Sequence, residues 1–171
     1  MRVISDLHIH SKYSRACSKD LTPSNLDKWA KIKGVNLLGT GDFTHPLWFG
    51  ELQSALEEAE SGFYILKGKG SDVRFILSAE VSCIYSQGGK LRRVHLVLVL
   101  PSFEAARKFN QTLESKKAKL ASDGRPILGM TSIDVLKYLL DASPDGLIIP
   151  AHAWTPYFGI FGSKSGFDSI E

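Results

Sequence analysis

Asp6, His8 and His10 stand at alternate positions in RVISDLHIHS, close behind the short apolar run at the start of the chain. In an extended segment that spacing turns all three side chains to one face, and Ile9 to the other. Asp42 and His45 follow in GDFTH, Glu80 closes the apolar run FILSAE, His95 opens LVLVL, and His152 follows LIIP. Four of the five histidines therefore fall at the ends of apolar strand-like runs. His95 begins its run, and it meets the same rim only if its strand runs antiparallel to the one before. Imidazoles with carboxylates suit Zn²⁺, Mn²⁺ or Fe²⁺ better than Ca²⁺, and one carboxylate can bridge two cations. Glu80 is the candidate bridge. Asp6 suits support of an imidazole or a turn better than direct ligation. A single histidine at a strand end is usually a hydrogen-bonded surface group; the ordered combination points to metal chemistry.

The rest of the chain must position these groups. Its 171 residues are enough for one cored domain. The net charge of +3 is too mild to mark a nucleic-acid binder by itself, so any anion site is local. Lys12, Tyr13 and Arg15 directly follow the paired histidines, and Lys164 lies in the flexible GSKSG segment. All four are candidates for phosphate contacts. Trp154, Tyr157, Phe158 and Phe161 suit either base stacking or core packing. The start of the chain carries no long apolar signal region, and no apolar run approaches the roughly 18 residues of a membrane span. A cytoplasmic protein with no membrane partner is expected. Cys17 and Cys83 lack metal-type spacing and read as reduced thiols.

A strand is expected at Val3–Leu7, then a helix capped by Thr22 with Pro23 at its first position, Gly34 at its end, and Leu26, Trp29 and Ala30 inward. A buried strand at Val35–Leu38 follows, then a helix through LWFGELQSALEEAE with Leu52, Leu56 and Ala59 on one face. FYILKG and VRFILSAEVSCIYS read as strands, and QGGK as a hairpin turn into LRRVHLVLVL. Helices return at SFEAARKFNQTLESKKAKL and at TSIDVLKYLLDAS, where Thr131 and Asp134 form a capping-box pattern, before the buried strand GLIIP. The alternation predicts an α/β fold with a largely parallel sheet, open or closed into a barrel.

The ordered set DLHIHS, GDFTH, a strand ending in Glu80, RVHLVLVL and PAHAW resembles the polymerase and histidinol phosphatase (PHP) superfamily of metal-dependent phosphoesterases. That resemblance implies a distorted β/α barrel of about seven strands holding two or three divalent metals (Zn, Mn, Mg or Fe). Residues 1–171 would form the N-terminal two-thirds of such a domain, because the usual closing Asp-x-His motif does not follow His152. More narrowly, LHIHSKYSRACSKDLTPSNLDKWAKIKG, LGTGDFTHP, SDGRPILG and PAHAWTPYFGIFGSKSGFDSIE resemble the endonuclease Q family. Its members nick DNA 5′ of uracil, hypoxanthine and abasic sites to initiate repair.

The resemblance implies His8, His10, Glu80, His95 and His152 as metal ligands. Asp42 and His45 are further candidates, and Glu80 and Asp42 are the catalytic carboxylates. Many PHP proteins read Thr-Asp-His in the second motif; GDFTH keeps Asp42, puts Phe43 where the histidine would be and offers His45 two residues later. Arg15 stands where many members carry an aspartate. The alternatives are a small-molecule phosphoesterase of the histidinol-phosphatase kind and a metal-stabilised DNA-binding fragment without catalysis.

Overall fold

The structure is a computed structural model that describes residues 2–68 and 70–169. Its elements in chain order are β1 (Ser5–Asp6), α1 (Pro23–Lys33), β2 (Leu37–Gly39), α2 (Pro46–Ala55), β3 (Leu56–Glu60), β4 (Phe63–Leu66), β5 (Arg74–Gln87), β6 (Lys90–Leu100), α3 (Phe103–Ser115), a 3-10 turn (Leu120–Ser122), β7 (Ile127–Leu128), α4 (Ser132–Ala142) and β8 (Leu147–Pro150).

One strand organises the sheet. Near its start, β5 pairs in parallel with β2 on one side and antiparallel with β4 on the other. From Leu77 onward it pairs with β6 along the whole hairpin, and Ser82 and Cys83 take β7 in parallel on the opposite side. β1 extends the sheet beyond β2, β3 beyond β4, and β8 beyond β6. The result is a mixed α/β fold with one open eight-stranded sheet. Antiparallel pairs outnumber parallel ones, unlike the largely parallel sheet expected. The short connections at Ser61–Gly62 and Gly88–Gly89 can only return the chain antiparallel. At the second of these, Gly88 (φ 61°) and Gly89 (φ 72°) supply the left-handed backbone of a tight hairpin turn.

The helix punctuation in the sequence is realised. Thr22 caps α1 by accepting from the Asn25 N–H, Gly34 closes it in the left-handed conformation, and Thr131 and Asp134 form the capping box of α4. Three expectations are corrected. Trp29 is 53% exposed; the buried stripe of α1 is Leu26, Asp27 and Ala30. α2 stops at Ala55, because Leu56 turns into an edge strand opposite Leu66. Glu57, Glu58, Ala59 and Glu60 then face solvent, and Glu60 pairs with Arg74. A charged edge of this kind resists further strand pairing. The strand at Leu147–Pro150 lies at the sheet edge, with Leu147 and Ile149 exposed, instead of being buried.

The core gathers Phe43, Trp48, Phe75, Leu77, Leu98, Phe109, Leu113 and Leu139, all essentially inaccessible to solvent. Phe43 meets Phe109 of α3 edge-on at 6.2 Å, which seats the GDFTH loop against the helical layer. Cys83 is also buried, and burial pushes its thiol up to about 12, so it behaves as a small apolar side chain. No helix among the described residues is long and apolar enough to cross a membrane.

Candidate metal centre

β1, β2, β5, β7 and β8 run in one direction, so the segments leaving β1 and β8 emerge at the same rim. β5 carries Glu80 in its middle and continues to Gln87, and β6 returns alongside it. Ser82 lies opposite His95 and Glu80 opposite Val97, which places Glu80 and His95 diagonally on one face of the hairpin. His8 and His10 reach this face from the extended segment after β1, and His152 from the turn after β8.

All four imidazoles converge on one buried carboxylate. His8 Nε2, His95 Nδ1 and His152 Nε2 lie 3.3, 2.9 and 3.3 Å from Glu80 Oε1, and His10 Nε2 lies 3.2 Å from Oε2. Despite these short separations, no ring nitrogen is aligned to donate a hydrogen bond to Oε1, which is left buried without a partner. The donors thus divide into two overlapping triads, His8–His10–Glu80 and Glu80–His95–His152. Ligand bonds of about 2.1 Å in a tetrahedral arrangement put neighbouring donors roughly 3.4 Å apart, close to the spacing found. The donor set of imidazoles and a carboxylate fits a divalent cation, and Glu80 belongs to both triads.

The ligand candidates are themselves held. Asp42 is fully buried and accepts from the Ser11 N–H (2.6 Å), Ser11 Oγ (2.7 Å) and Ser14 Oγ (2.8 Å), all at Oδ2. Its Oδ1 lies 3.0 Å from His10 Nδ1, which leaves Nε2 of that ring aimed at Glu80. Hydrogen bonding to Asp42 and then to Glu80 outweighs burial and raises His10 to about 9, and the Asp42 contact at Nδ1 holds the ring with Nε2 toward Glu80. Burial opposes ionisation of Glu80, but the imidazoles of His10, His8 and His95 overcome it and hold the carboxyl well below its usual range. His152 has φ 32°, a left-handed conformation costly for a non-glycine residue, and its Nδ1 is fixed 2.9 Å from Thr155 Oγ1. The His95 ring is stacked on Phe158 at 4.3 Å.

Gly124 completes this support by close approach. A Cβ there would stand 2.2 Å from Asp42 Oδ2 and 2.3 Å from Ser14 Oγ. Gly124→Ala should therefore lower stability by about 1–3 kcal/mol. At this chain length that is a fall in melting temperature of about 2–4 °C per kcal/mol. An unchanged thermal midpoint would contradict the contact.

Other candidates lie elsewhere. His45 is the buried N-cap residue of α2, stacked on Tyr13 at 4.4 Å, and it joins neither triad; burial lowers its pKa. Asp42 reaches the cluster through His10, and neither triad includes it. Lys12 Nζ and Tyr13 Oη both contact Glu51 Oε1, at 2.9 and 2.6 Å. Arg15 and Lys164 are exposed, as are Trp154, Tyr157 and Phe161. Ser11, Ser14 and Thr155 also support the site, and their only signal in the sequence is a place within four residues of a histidine. Arg125, whose Nη1 lies 3.3 Å from Glu80 Oε2, carries no such signal.

The fold and site define a mixed α/β chain in which one carboxylate draws four imidazoles into two metal-competent triads. In sequence and in structure the chain resembles endonuclease Q. The crystal structure of the lesion-specific endonuclease Q of Pyrococcus furiosus matches with a TM-score of 0.81 and 34% identity, over 98% of this chain and 38% of that one. An endonuclease Q bound to a 27-mer duplex with an abasic lesion at its active site matches with a TM-score of 0.81 and 36% identity, with the same coverage. An uncharacterized protein of Methanocaldococcus jannaschii is 31% identical over 151 residues, 88% of this chain and 16% of that protein. No protein-family model matches. The chain thus spans well under half the length of each of these proteins.

Proposed function

We propose that the chain is the metal-holding part of a PHP-type phosphodiesterase that nicks damaged DNA in the manner of endonuclease Q. The observation that carries this reading is the Glu80 cluster, with four imidazole nitrogens 2.9–3.3 Å from one carboxylate whose Oε1 lacks a hydrogen bond. In this reading the open sheet is part of a distorted β/α barrel, and His8, His10, Glu80, His95 and His152 hold divalent cations. Bound cations would lower the pKa of a water molecule and neutralise charge on the phosphate. No side-chain nucleophile is then required. Asp42 keeps His10 in the tautomer whose Nε2 is free to donate its lone pair, and Thr155 orients His152. Arg15 and Lys164 are exposed and suited to backbone phosphates flanking the scissile bond. A duplex carrying an abasic site is the ligand of one similar solved structure, which favours a DNA substrate over a small monoester.

The test compares nicking of duplexes containing uracil, hypoxanthine or an abasic site with phosphate release from small monoesters, each with Zn²⁺, Mn²⁺ or Mg²⁺ and after chelation. Metal-dependent nicking 5′ of a lesion supports the reading. Monoester hydrolysis without nicking replaces it with a small-molecule phosphatase, and lesion binding without cleavage replaces it with a binding module.

A further inference from the structure

Arg125 touches Glu80 but belongs to neither triad. Its backbone is fixed independently of its side chain. Gly124 N–H donates to the Tyr13 carbonyl (3.1 Å), Arg125 N–H to Asp123 Oδ1 (2.9 Å), and Ser82 N–H to the Pro126 carbonyl (3.0 Å). The last contact leads into β7, beside the part of β5 just beyond Glu80. The guanidinium makes one hydrogen bond among the described residues, Nη1 to Glu80 Oε2 at 3.3 Å, and 38% of the side chain is exposed. A strong charge-assisted bond of this type measures about 2.7–2.9 Å. The other N–H donors of the guanidinium make no hydrogen bond among the described residues.

Glu80 Oε2 also faces His10 Nε2 at 3.2 Å. A cation held by His8, His10 and Glu80 would share that oxygen with Arg125, and two positive groups on one oxygen repel each other. The Arg125 side chain is the more exposed of the two groups now on Oε2, at 38% against 22% for His10, and so the freer to exchange its contact. We infer that Arg125 grips a non-bridging oxygen of the substrate phosphate, its planar fork turning from Glu80 to the anion. A guanidinium presents paired donors that match phosphate geometry. This inference rests on the phosphodiesterase reading but adds to it a phosphate-binding residue outside the triads.

The experiment uses inorganic phosphate as a probe together with turnover. Phosphate should raise the thermal midpoint of the metal-loaded protein, and Arg125→Met should remove most of that rise at unchanged metal content. In cleavage, Arg125→Met should lose about 10²–10³-fold in kcat/KM, the usual scale for one donor to developing charge. Arg125→Lys should keep part of both effects, and it decides the matter if the methionine variant does not fold. A phosphate-induced rise that survives in Arg125→Met, or is absent from the wild type, overturns the inference. So does a loss of rate that tracks a loss of bound metal, since Arg125 would then act only on Glu80. If the wild-type protein hydrolyses neither DNA nor monoesters, the phosphodiesterase reading fails separately. Loss of the phosphate-induced rise in Arg125→Met would then still support the anion site.

Discussion

Glu80→Gln should reduce cleavage of lesion-bearing DNA by at least about 10³-fold, a loss of roughly 4 kcal/mol of transition-state stabilisation. Binding of the same DNA should change little. The substitution keeps the shape of a side chain that is only 2% exposed, but removes the charge on which four imidazoles converge. A glutamine can offer its single carbonyl oxygen to one triad, and its NH₂ group then faces the nitrogens of the other. Bound metal should fall accordingly, because the two triads have only this carboxylate in common. Metal analysis, single-turnover nicking and a binding titration on one preparation check the prediction. A variant that retains both its full metal content and the wild-type rate would remove Glu80 from the mechanism.

Asp42→Asn should weaken metal binding by about 10–100-fold while leaving the fold nearly intact, and the reason is tautomeric. Oδ2 accepts from the Ser11 N–H, Ser11 Oγ and Ser14 Oγ, so the oxygen of an asparagine must take that side. Its NH₂ group then replaces Oδ1 beside His10 Nδ1. An amide donor there requires Nδ1 to accept, which moves the ring proton to Nε2, the nitrogen that points at Glu80. A protonated Nε2 cannot ligate. Asp42→Ala should behave differently, because it leaves three buried donors without their acceptor and costs stability as well, at about 1–3 kcal/mol per unsatisfied group. Competition titrations with a metallochromic chelator, alongside thermal unfolding, separate the two variants. If Asp42→Asn binds metal as tightly as wild type, Asp42 does not set the tautomer of His10.

Much of the candidate site was legible because its residues carry short-range signals. Alternation alone put His8 and His10 on one face, and apolar runs bounded the strands that carry Glu80 and His95 and the strand that His152 follows. The QGGK turn fixed the hairpin, and with it the antiparallel course that brings His95 beside Glu80. Helix caps at Thr22, Gly34 and Thr131 were equally local. His45 misled because a histidine near a strand end carries the same signal whether its ring faces the cluster or, as here, stacks on Tyr13.

The sequence by itself determined which residue types are available for metal chemistry and the local geometry that groups them in pairs, since periodicity and turn chemistry act over a few residues. Tertiary structure alone decided which of them meet. Edge pairing of Leu56 with Leu66 overrode the helical pattern of LEEAE, because strand partners lie outside any local window. Asp42 became the support of His10 through a contact across 32 positions, and Arg125 reached Glu80 across 45. Gly124 shows the same limit: nothing in SDGRP reveals that a Cβ there would collide with Asp42. Contacts of that range are set by how β5 gathers both sides of the sheet around one carboxylate, which is a property of the packed chain.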